Sequence, residues 1–397
     1  MLYSFLDECE FTLAQVKANP INRYLAKPPR KRGFSFMNQR MSATMLLVSR
    51  PSGCGESTHS LTNNEEVTTR SRSDGFPSLF HMSFVPQENV SLASFSNYKI
   101  GGPARYFFEA QSFEELHMAL AWANEKKIIL FILGGGTNLL FADAGYDGLV
   151  LKPALMDIKR DGSRVTVGAG VGVASFLEFC IAQELSGFEW AGGLPGTIGG
   201  AVRGNAGAFK GETKDSIMAA QSIVVDSLEE RERDNIACRF GYRTSVFKEL
   251  NGQEIILSAI FDLRAASSEL IRRAIQEKID YRIARHPIEY PNIGSIFKNV
   301  DLMQFPEERH ADFVDVVKHD PFPVVPTAYL ISEAGLKGMT HGGAMISPKH
   351  PNFIVNTGSA TAEDVLALIA LVKESVSKKF SVLLEEEVQI VSATSVA

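Results

Sequence analysis

From residue 84 onward, apolar and polar residues follow two periods, and this pattern predicts a mixed α/β protein. Short apolar runs predict strands, and longer runs with an apolar residue every third or fourth position predict helices. The predicted strands lie at residues 106–108, 128–133, 149–151, 165–167, 223–226, 255–257 and 382–390. The predicted helices lie at residues 113–122, 176–183, 268–286 and 364–378, with Ser112 as the N-cap of the first.

The first 83 residues show no sustained period, and we predict that they form a largely disordered leader. Residues 1–80 hold ten Lys or Arg and seven Asp or Glu, with no acidic residue between Glu10 and Glu56. An acid-poor segment rich in Arg and Ser is typical of an organelle transit peptide, but acidic residues near the start count against this. A basic tail that contacts acidic surfaces is a second alternative. We favour a third, a non-conserved leader or a start placed too far upstream.

Composition excludes several classes of function. The chain has 397 residues with 40 Lys and Arg against 46 Asp and Glu, a net charge of −6, and nucleic-acid binding normally needs a basic excess. No apolar run reaches the roughly 18–20 residues that span a bilayer, so we expect no membrane segment. Four scattered cysteines, Cys9, Cys54, Cys180 and Cys238, indicate a reducing compartment without a disulfide framework or a metal site.

A glycine-rich turn follows the predicted strand at 128–133. Successive glycines let backbone N–H groups point into one concavity, which suits a pyrophosphate, and the two polar side chains after them add donors. The candidate cofactor-binding residues of this turn are Gly134, Gly135, Gly136, Thr137 and Asn138.

A second loop, at residues 192–201, has almost no side chains, so its backbone must closely approach a flat ligand or another chain segment. Its candidate cofactor-binding residues are Gly193, Pro195, Gly196, Thr197, Gly199 and Gly200. Neither loop has the spacing of a Walker A or a dinucleotide-binding glycine motif. One such loop is usually structural, but two in one β-rich region favour a nucleotide cofactor.

Ordered motifs between residues 85 and 392 resemble one family. They are NYKIGGPAR (97–105), GGGTNLL (134–140), GGLPGTIGGAVRGNAGAFKGE (192–212), CRFGYRTSVFK (238–248), GSIFKN (294–299), EAGLKG (333–338), GGA (342–344), KHPNFIVN (349–356) and LEEEV (384–388). Together they resemble the UDP-N-acetylenolpyruvoylglucosamine reductases. Thr137 and Pro351 stand where the family commonly has Ser and Ala. The short segment 263–281 is similar to the subclass that lacks a Tyr-bearing loop insertion, which leaves open what closes over the substrate.

The resemblance implies an α+β protein with a vanillyl-alcohol-oxidase-like (PCMH-type) FAD-binding fold. It implies an FAD-binding domain of two α/β subdomains at 84–263, a substrate-binding α/β domain at 264–380 and a C-terminal strand at 381–397 that returns to the active site. It also implies non-covalent FAD and reduction, with NADPH in ping-pong order, of UDP-N-acetylglucosamine enolpyruvate to UDP-N-acetylmuramate in peptidoglycan synthesis. We therefore expect a cytoplasmic monomer with a UDP-sugar substrate and no nucleic-acid or membrane partner.

The family pattern places three catalytic residues. Ser295 is the expected proton donor, although a Ser after Gly is otherwise typical of a turn. Arg243 and Glu387 are expected to clamp the substrate carboxylate, because Arg supplies a permanently charged fork and Glu helps only if protonated or paired with it. Alternation within residues 384–388 does not decide which Glu points inward; the family register selects Glu387.

Three further residues are candidates for substrate binding under the same resemblance. Tyr242 is expected to pack near flavin or substrate, with an ordinary core tyrosine as the alternative. Lys298 and Asn299 are expected to bind phosphate or carboxylate, and without the motif both would be read as surface residues.

Two rival functions use the same residues. An FAD-dependent oxidase of the same fold would act on another substrate, but many such oxidases attach flavin through His or Cys, which residues 99–105 lack. A nucleotide-sugar binding module without chemistry is the other rival, and the presence of Ser295, Arg243 and Glu387 together argues against it.

Overall fold

The computed structural model describes residues 84–319 and 322–394. The predicted leader at 1–83 lies outside the described residues. Among those that are described, no helix is both long and apolar enough to cross a membrane.

Helices and strands alternate through this part of the chain, as the periodicity predicts. The helices are α1 (Phe113–Lys126), α2 (Val173–Ala182), α3 (Ile198–Arg203), α4 (Val246–Glu249), α5 (Ser268–Arg285), α6 (Thr327–Glu333) and α7 (Ala362–Phe380). Short 3-10 turns lie at Leu92–Phe95, Glu189–Ala191, Thr213–Asp215, Leu302–Gln304 and Glu307–Phe313.

The first ten strands are β1 (Gln87–Ser91), β2 (Pro103–Ala110), β3 (Leu130–Ile132), β4 (Leu139–Phe141), β5 (Tyr146–Pro153), β6 (Ile158–Asp161), β7 (Arg164–Gly168), β8 (Leu185–Ser186), β9 (Gly207–Ala208) and β10 (Gly211–Glu212). The remaining ten are β11 (Ile217–Val224), β12 (Glu230–Asp234), β13 (Glu254–Asp262), β14 (Arg264–Ala265), β15 (Val300–Asp301), β16 (Val324–Val325), β17 (Thr340–His341), β18 (Ala344–Ile346), β19 (Ile354–Asn356) and β20 (Gln389–Val391).

A four-stranded sheet in the order β1-β2-β5-β3 builds the first part of the fold. Strand β1 is antiparallel to β2, whereas β2 and β3 are parallel to β5. Because side chains alternate between the faces of a strand, Val150 packs in a cluster with Phe107 and Phe131, while Leu149 and Leu151 pack against α1 on the opposite face. The sheet is thus buried on both faces.

A five-stranded antiparallel sheet in the order β12-β11-β13-β7-β6 builds the second part. Helices α2 and α3 pack on it through a core that includes Phe176, Phe188 and Phe261. Cys180 and Cys238 are buried here as free thiols, and burial raises their pKa values to about 12 and about 11. Neither thiol is therefore a reactive nucleophile at neutral pH.

The C-terminal part packs α6 and α7 with a three-stranded antiparallel sheet, β17-β18-β19. Helix α7 begins with a capping box, in which Thr361 and Asp364 satisfy each other's backbone N–H groups. Its buried residues recur every three or four positions along one face, which is why residues 364–378 were predictable as a helix.

The C-terminal strand is shorter than predicted. Residues 382–390 were expected to form one strand, but β20 holds only Gln389–Val391, parallel to β4. The preceding stretch keeps the alternation, because Leu384 and Val388 are buried, yet it meets a loop, with one bridge between Phe297 and Glu386. A strand needs a partner strand of matching length, and here the partner is a loop.

A carboxylate from the first part of the fold caps the longest helix of the C-terminal part. Asp143 accepts hydrogen bonds from the backbone N–H groups of Ala362 at 2.9 Å and Glu363 at 3.1 Å. An anion at a helix N-terminus satisfies orphan donors and interacts favourably with the helix dipole. This contact joins the loop before β5 to α7.

Replacing Asp143→Ala should lower the free energy of unfolding by about 1 kcal/mol, the usual cost of losing a helix cap. Urea denaturation of the flavin-loaded protein measures this. Asp147→Ala is the matched control, because Asp147 forms an exposed ion pair with Arg105 at 3.2 Å, and such pairs contribute roughly 0–1 kcal/mol. Equal losses in the two variants would contradict the capping role.

Candidate active site

The two glycine-rich loops contact each other through their backbones. The first connects β3 to β4 and the second leads into α3. A Cβ atom on Gly135 would lie 2.7 Å from the Cα of Gly196, and one on Gly134 would lie 3.2 Å from the Thr197 hydroxyl oxygen. The bare backbone predicted for residues 192–201 therefore meets another chain segment and also faces a cavity.

Gly136 has the tightest surroundings in the first loop. Its φ of +63° lies in the left-handed region, and a Cβ there would lie 1.8 Å from the Phe95 carbonyl oxygen. Its own carbonyl accepts a hydrogen bond from the Asn97 N–H at 3.1 Å. No side chain larger than hydrogen fits this position without moving the backbone.

Both loops line a cavity of about 1400 Å³. Its volume exceeds the roughly 300–1,000 Å³ of an ordinary small-molecule pocket, so it has room for two ligands side by side. All predicted cofactor-binding residues line it: Gly134, Gly135, Gly136, Thr137, Asn138, Gly193, Pro195, Gly196, Thr197, Gly199 and Gly200. The predicted Tyr242, Arg243, Ser295, Asn299 and Glu387 line it as well.

Arg243 and Glu387, which are 144 positions apart in the numbering, form an ion pair on the cavity wall. The Arg243 Nε atom lies 2.8 Å from Glu387 Oε1, and the two side chains are only 25% and 22% exposed. The Nε–H group does not point along the line to that oxygen, so the contact is an ion pair without a hydrogen bond of good geometry. Because a guanidinium has five N–H donors, Arg243 keeps hydrogen-bonding capacity for a ligand.

Backbone hydrogen bonds bring Glu387 to this position from two sides. The Glu387 N–H donates to the Ile296 carbonyl at 2.8 Å. The Asn138 side-chain amide donates to the Glu387 carbonyl at 3.0 Å, and the Gln389 N–H donates to the Asn138 carbonyl at 3.0 Å. The Asn138 side-chain amide, which was predicted to bind cofactor, thus holds the C-terminal segment in place.

Ser295 directly precedes Ile296, whose carbonyl accepts the hydrogen bond from Glu387. The buried Asn352 fixes the loop through its carbonyl, which accepts from Ile296 N–H at 2.8 Å, and its side chain, which bonds both backbone groups of Phe297. Ser295 lines the cavity, and its side chain has no hydrogen-bond partner among the described residues. Its hydroxyl is therefore available to a ligand.

The three predicted substrate-binding residues differ in their positions. The Tyr242 ring packs edge-on against Phe322 with centroids 5.4 Å apart, and burial raises the pKa of Tyr242. The Asn299 side-chain oxygen accepts from the Thr327 N–H at 3.2 Å. Lys298 is not among the residues that line the cavity; its ammonium forms an ion pair with the exposed Glu385.

Among the cavity-lining cations that the sequence reasoning missed, three are partly buried: Arg203, Lys248 and Arg282. Burial lowers the pKa of each. Arg282 donates from Nε to the Gly192 carbonyl at 2.9 Å, while its Nη2 is buried without a partner among the described residues. A basic end on α5, just before the Ser295 loop, was the sequence signal available for Arg282.

Two family models match the chain. Residues 104–226 match the FAD binding domain, and residues 286–391 match the C-terminal domain of UDP-N-acetylenolpyruvoylglucosamine reductase. The reductase of that name from Carboxydothermus hydrogenoformans is 37% identical over 305 residues, 76% of this chain and 93% of the relative. Its counterpart from Pediococcus pentosaceus is 36% identical over 327 residues, 81% of this chain and 98% of the relative.

The chain belongs to the UDP-N-acetylenolpyruvoylglucosamine reductase family. The crystal structure of the reductase from Thermus caldophilus is 29% identical, has a TM-score of 0.61, and is covered completely by 78% of this chain. The family, the FAD-binding fold, FAD as the cofactor and reduction of UDP-N-acetylenolpyruvoylglucosamine in peptidoglycan synthesis are thereby confirmed. The contact between the two glycine loops is consistent with this, since a close-fitting backbone suits a pyrophosphate.

Two histidines of the cavity wall lie against each other. The rings of His286 and His350 meet edge-to-face with centroids 5.4 Å apart, and both contact Phe353. Burial lowers the pKa of each to about 4, and the cations Arg282 and Lys318 act in the same direction, on His286 and His350 respectively. Both imidazoles are therefore neutral in the folded protein at neutral pH.

Replacing Gly136→Ala should remove most of the bound FAD, because the added methyl group would collide with the Phe95 carbonyl. The visible flavin absorbance per protein measures the loss. Gly162→Ala is a matched control: Gly162 has almost the same φ, +61°, but nothing lies within 4 Å of its Cβ position. Equal loss of FAD from the two variants would show that backbone strain, and not the collision with Phe95, causes the effect.

Stability should fall as the pH is lowered from about 6.5, the ordinary pKa of histidine, toward 4. In this window an unfolded histidine binds a proton that the folded His286 and His350 reject, so protonation favours unfolding. Urea denaturation across this range should show a weaker pH dependence for His350→Phe. An unchanged slope in His350→Phe would contradict this account.

Proposed function

We propose that this chain uses NADPH, in ping-pong order, to reduce the enolpyruvyl ether of UDP-N-acetylglucosamine to UDP-N-acetylmuramate, and that Arg243, Glu387 and Ser295 carry out the reaction. The observation that carries the proposal is the Arg243–Glu387 ion pair on the wall of a cavity that Ser295 and the two glycine loops also line. The two glycine loops would hold FAD, and bound FAD would supply hydride transfer from NADPH to the enolpyruvyl double bond.

Arg243 and Glu387 bind and polarise the carboxylate of the enolpyruvyl group. Charge builds on this carboxylate when hydride reaches the terminal carbon, and a desolvated guanidinium stabilises such charge most effectively. Glu387 keeps the guanidinium oriented, because the two side chains are paired at 2.8 Å. A guanidinium has five N–H donors, so the pair with Glu387 leaves others for the substrate carboxylate.

Ser295 donates a proton to the carbon beside the carboxylate. A serine hydroxyl is a weak acid, so the transfer depends on a strongly basic carbon and on fixed geometry. The rigid attachment of the loop to Asn352 and the absence of a competing partner for the hydroxyl in the described part of the chain support this role.

The remaining residues bind the two nucleotides. Tyr242 and Asn299 contact the substrate from the wall of the cavity. Lys298, whose ammonium pairs with Glu385, reaches a substrate phosphate only by exchanging that partner. The glycine loops hold FAD with Thr137 and Thr197 as side-chain donors. We further propose the division into domains at 84–263, 264–380 and 381–397, a monomer, and a cytoplasmic location.

The Ser295→Ala variant separates the two half-reactions. NADPH should bleach the flavin absorbance of this variant at the wild-type rate, whereas reoxidation by the enolpyruvyl substrate should slow by about 10²–10⁴-fold, the usual share of general acid catalysis. Anaerobic stopped-flow absorbance measures both rates. Ser295→Cys, which keeps an ionisable proton at this position, should recover part of the second rate.

Other outcomes have distinct meanings. A wild-type flavin that stays oxidised with NADPH would overturn the proposed function. Reoxidation by oxygen but not by the enolpyruvyl substrate would favour an oxidase. Loss of both half-reactions in Ser295→Ala, with a lower melting temperature, would indicate misfolding, and wild-type reoxidation would remove Ser295 from the mechanism.

A further inference from the structure

Arg243 lies in a strained two-residue turn. The Gly241 N–H donates to the Thr244 carbonyl at 3.0 Å, and the Thr244 N–H donates back at 3.3 Å, so Tyr242 and Arg243 form the tip. Arg243 has a φ of +56°, in the left-handed region. That region disfavours residues with a Cβ atom, and the same turn position is usually occupied by glycine or asparagine.

A non-glycine residue keeps such a conformation only where surrounding contacts impose it. Two contacts fix the ends of this turn. The buried Asn205 donates from Nδ2 to the Gly241 carbonyl at 2.9 Å, and Ser245 donates from Oγ to the Arg203 carbonyl at 2.7 Å. Both tie the turn to the C-terminal end of α3, the helix that follows the second glycine loop.

A third contact acts on Arg243 itself. The Lys248 ammonium, on the helix that follows the turn, donates to the Arg243 carbonyl oxygen at 3.0 Å. Among the described residues, this is the hydrogen bond that the Arg243 main chain makes. It fixes the peptide plane that follows Arg243, and with it the direction in which the residue projects.

We propose that Lys248 is a positioning residue: by holding the Arg243 carbonyl it keeps Arg243 in the left-handed conformation that aims the guanidinium at Glu387 and at the substrate carboxylate. This inference rests on the proposed function. Lys248 acts on the carboxylate of the ligand only through Arg243.

The charges around Lys248 fit a fixed role in the protein. Burial lowers the pKa of Lys248, and the neighbouring cations Lys298 and Arg203 lower it further, whereas Glu387 and Glu385 act in the opposite direction. A lysine is thus held at a site that disfavours its charge, and its bond to a carbonyl dipole offsets part of that cost. Because Lys248 also lines the cavity, direct binding of a substrate phosphate is the alternative to be tested.

Two ligands separate these roles without any turnover. UDP-N-acetylmuramate carries the carboxylate and UDP-N-acetylglucosamine does not, while both carry the diphosphate. In the flavin-loaded protein, Lys248→Met should weaken binding of UDP-N-acetylmuramate about tenfold, the typical effect of losing one charge-assisted contact, and change binding of UDP-N-acetylglucosamine less than twofold. Isothermal titration calorimetry measures both, and Lys248→Arg should restore most of the loss.

A double-mutant cycle tests whether the effect passes through Arg243. Arg243→Gly removes the guanidinium and tolerates the left-handed conformation, so the turn should survive. Adding Lys248→Met to this background should cost no further affinity for UDP-N-acetylmuramate, because coupled residues are non-additive. Arg239→Met is the matched control, since Arg239 lies in the same loop but pairs with Glu249 at an exposed position, and it should change neither affinity.

Equal weakening of both ligands would show that Lys248 binds phosphate directly and would overturn the proposal. An additive loss in the double mutant would overturn it too. Flavin content and melting temperature that match the wild type exclude a folding defect as the cause. A Lys248→Met variant that binds UDP-N-acetylmuramate as tightly as the wild type would also overturn the proposal. If the wild type binds neither ligand, the proposed function itself fails.

Discussion

The C-terminal segment that carries Glu387 joins parts of the fold that are otherwise far apart in the chain. Its backbone bonds the Ser295 loop through Ile296 on one side and the first glycine loop through Asn138 on the other. Because these are main-chain contacts, they set the position of Glu387 regardless of its side chain. This one segment therefore fixes the position of the Arg243–Glu387 ion pair relative to both the Ser295 loop and the first glycine loop.

Left-handed backbone recurs at the wall of the cavity. Gly136 and Arg243 both have positive φ, but the first has room for no side chain and the second projects a long one. Glycine adopts this conformation at no cost, whereas an arginine keeps it only when surrounding contacts outweigh the cost. Phe95 excludes a side chain at the first site and Lys248 holds the main chain at the second, so the shape of the cavity depends on residues behind its surface.

Most of the fold could be predicted because helices α1, α5 and α7 and the buried strands have clear periods and caps. The site could be predicted only in part. Alternation could not choose among three consecutive glutamates, and each of them pairs with a different cation: Glu385 with Lys298, Glu386 with Lys373 and Glu387 with Arg243. The choice depends on which cation the tertiary fold brings near. The family register supplied it for Glu387, and nothing local to the segment could.

Arg203, Lys248 and Arg282 were missed for the same reason, and they explain how an acidic protein can bind two phosphate-rich ligands. At physiological salt, interactions between exposed charges fade beyond roughly 8 Å, so the net charge of −6 contributes little inside the cavity. A partly buried cation is screened less, so it interacts more strongly with a ligand beside it. Binding is therefore governed by the local excess of cations on the cavity wall, and a whole-chain charge count is a poor guide to it.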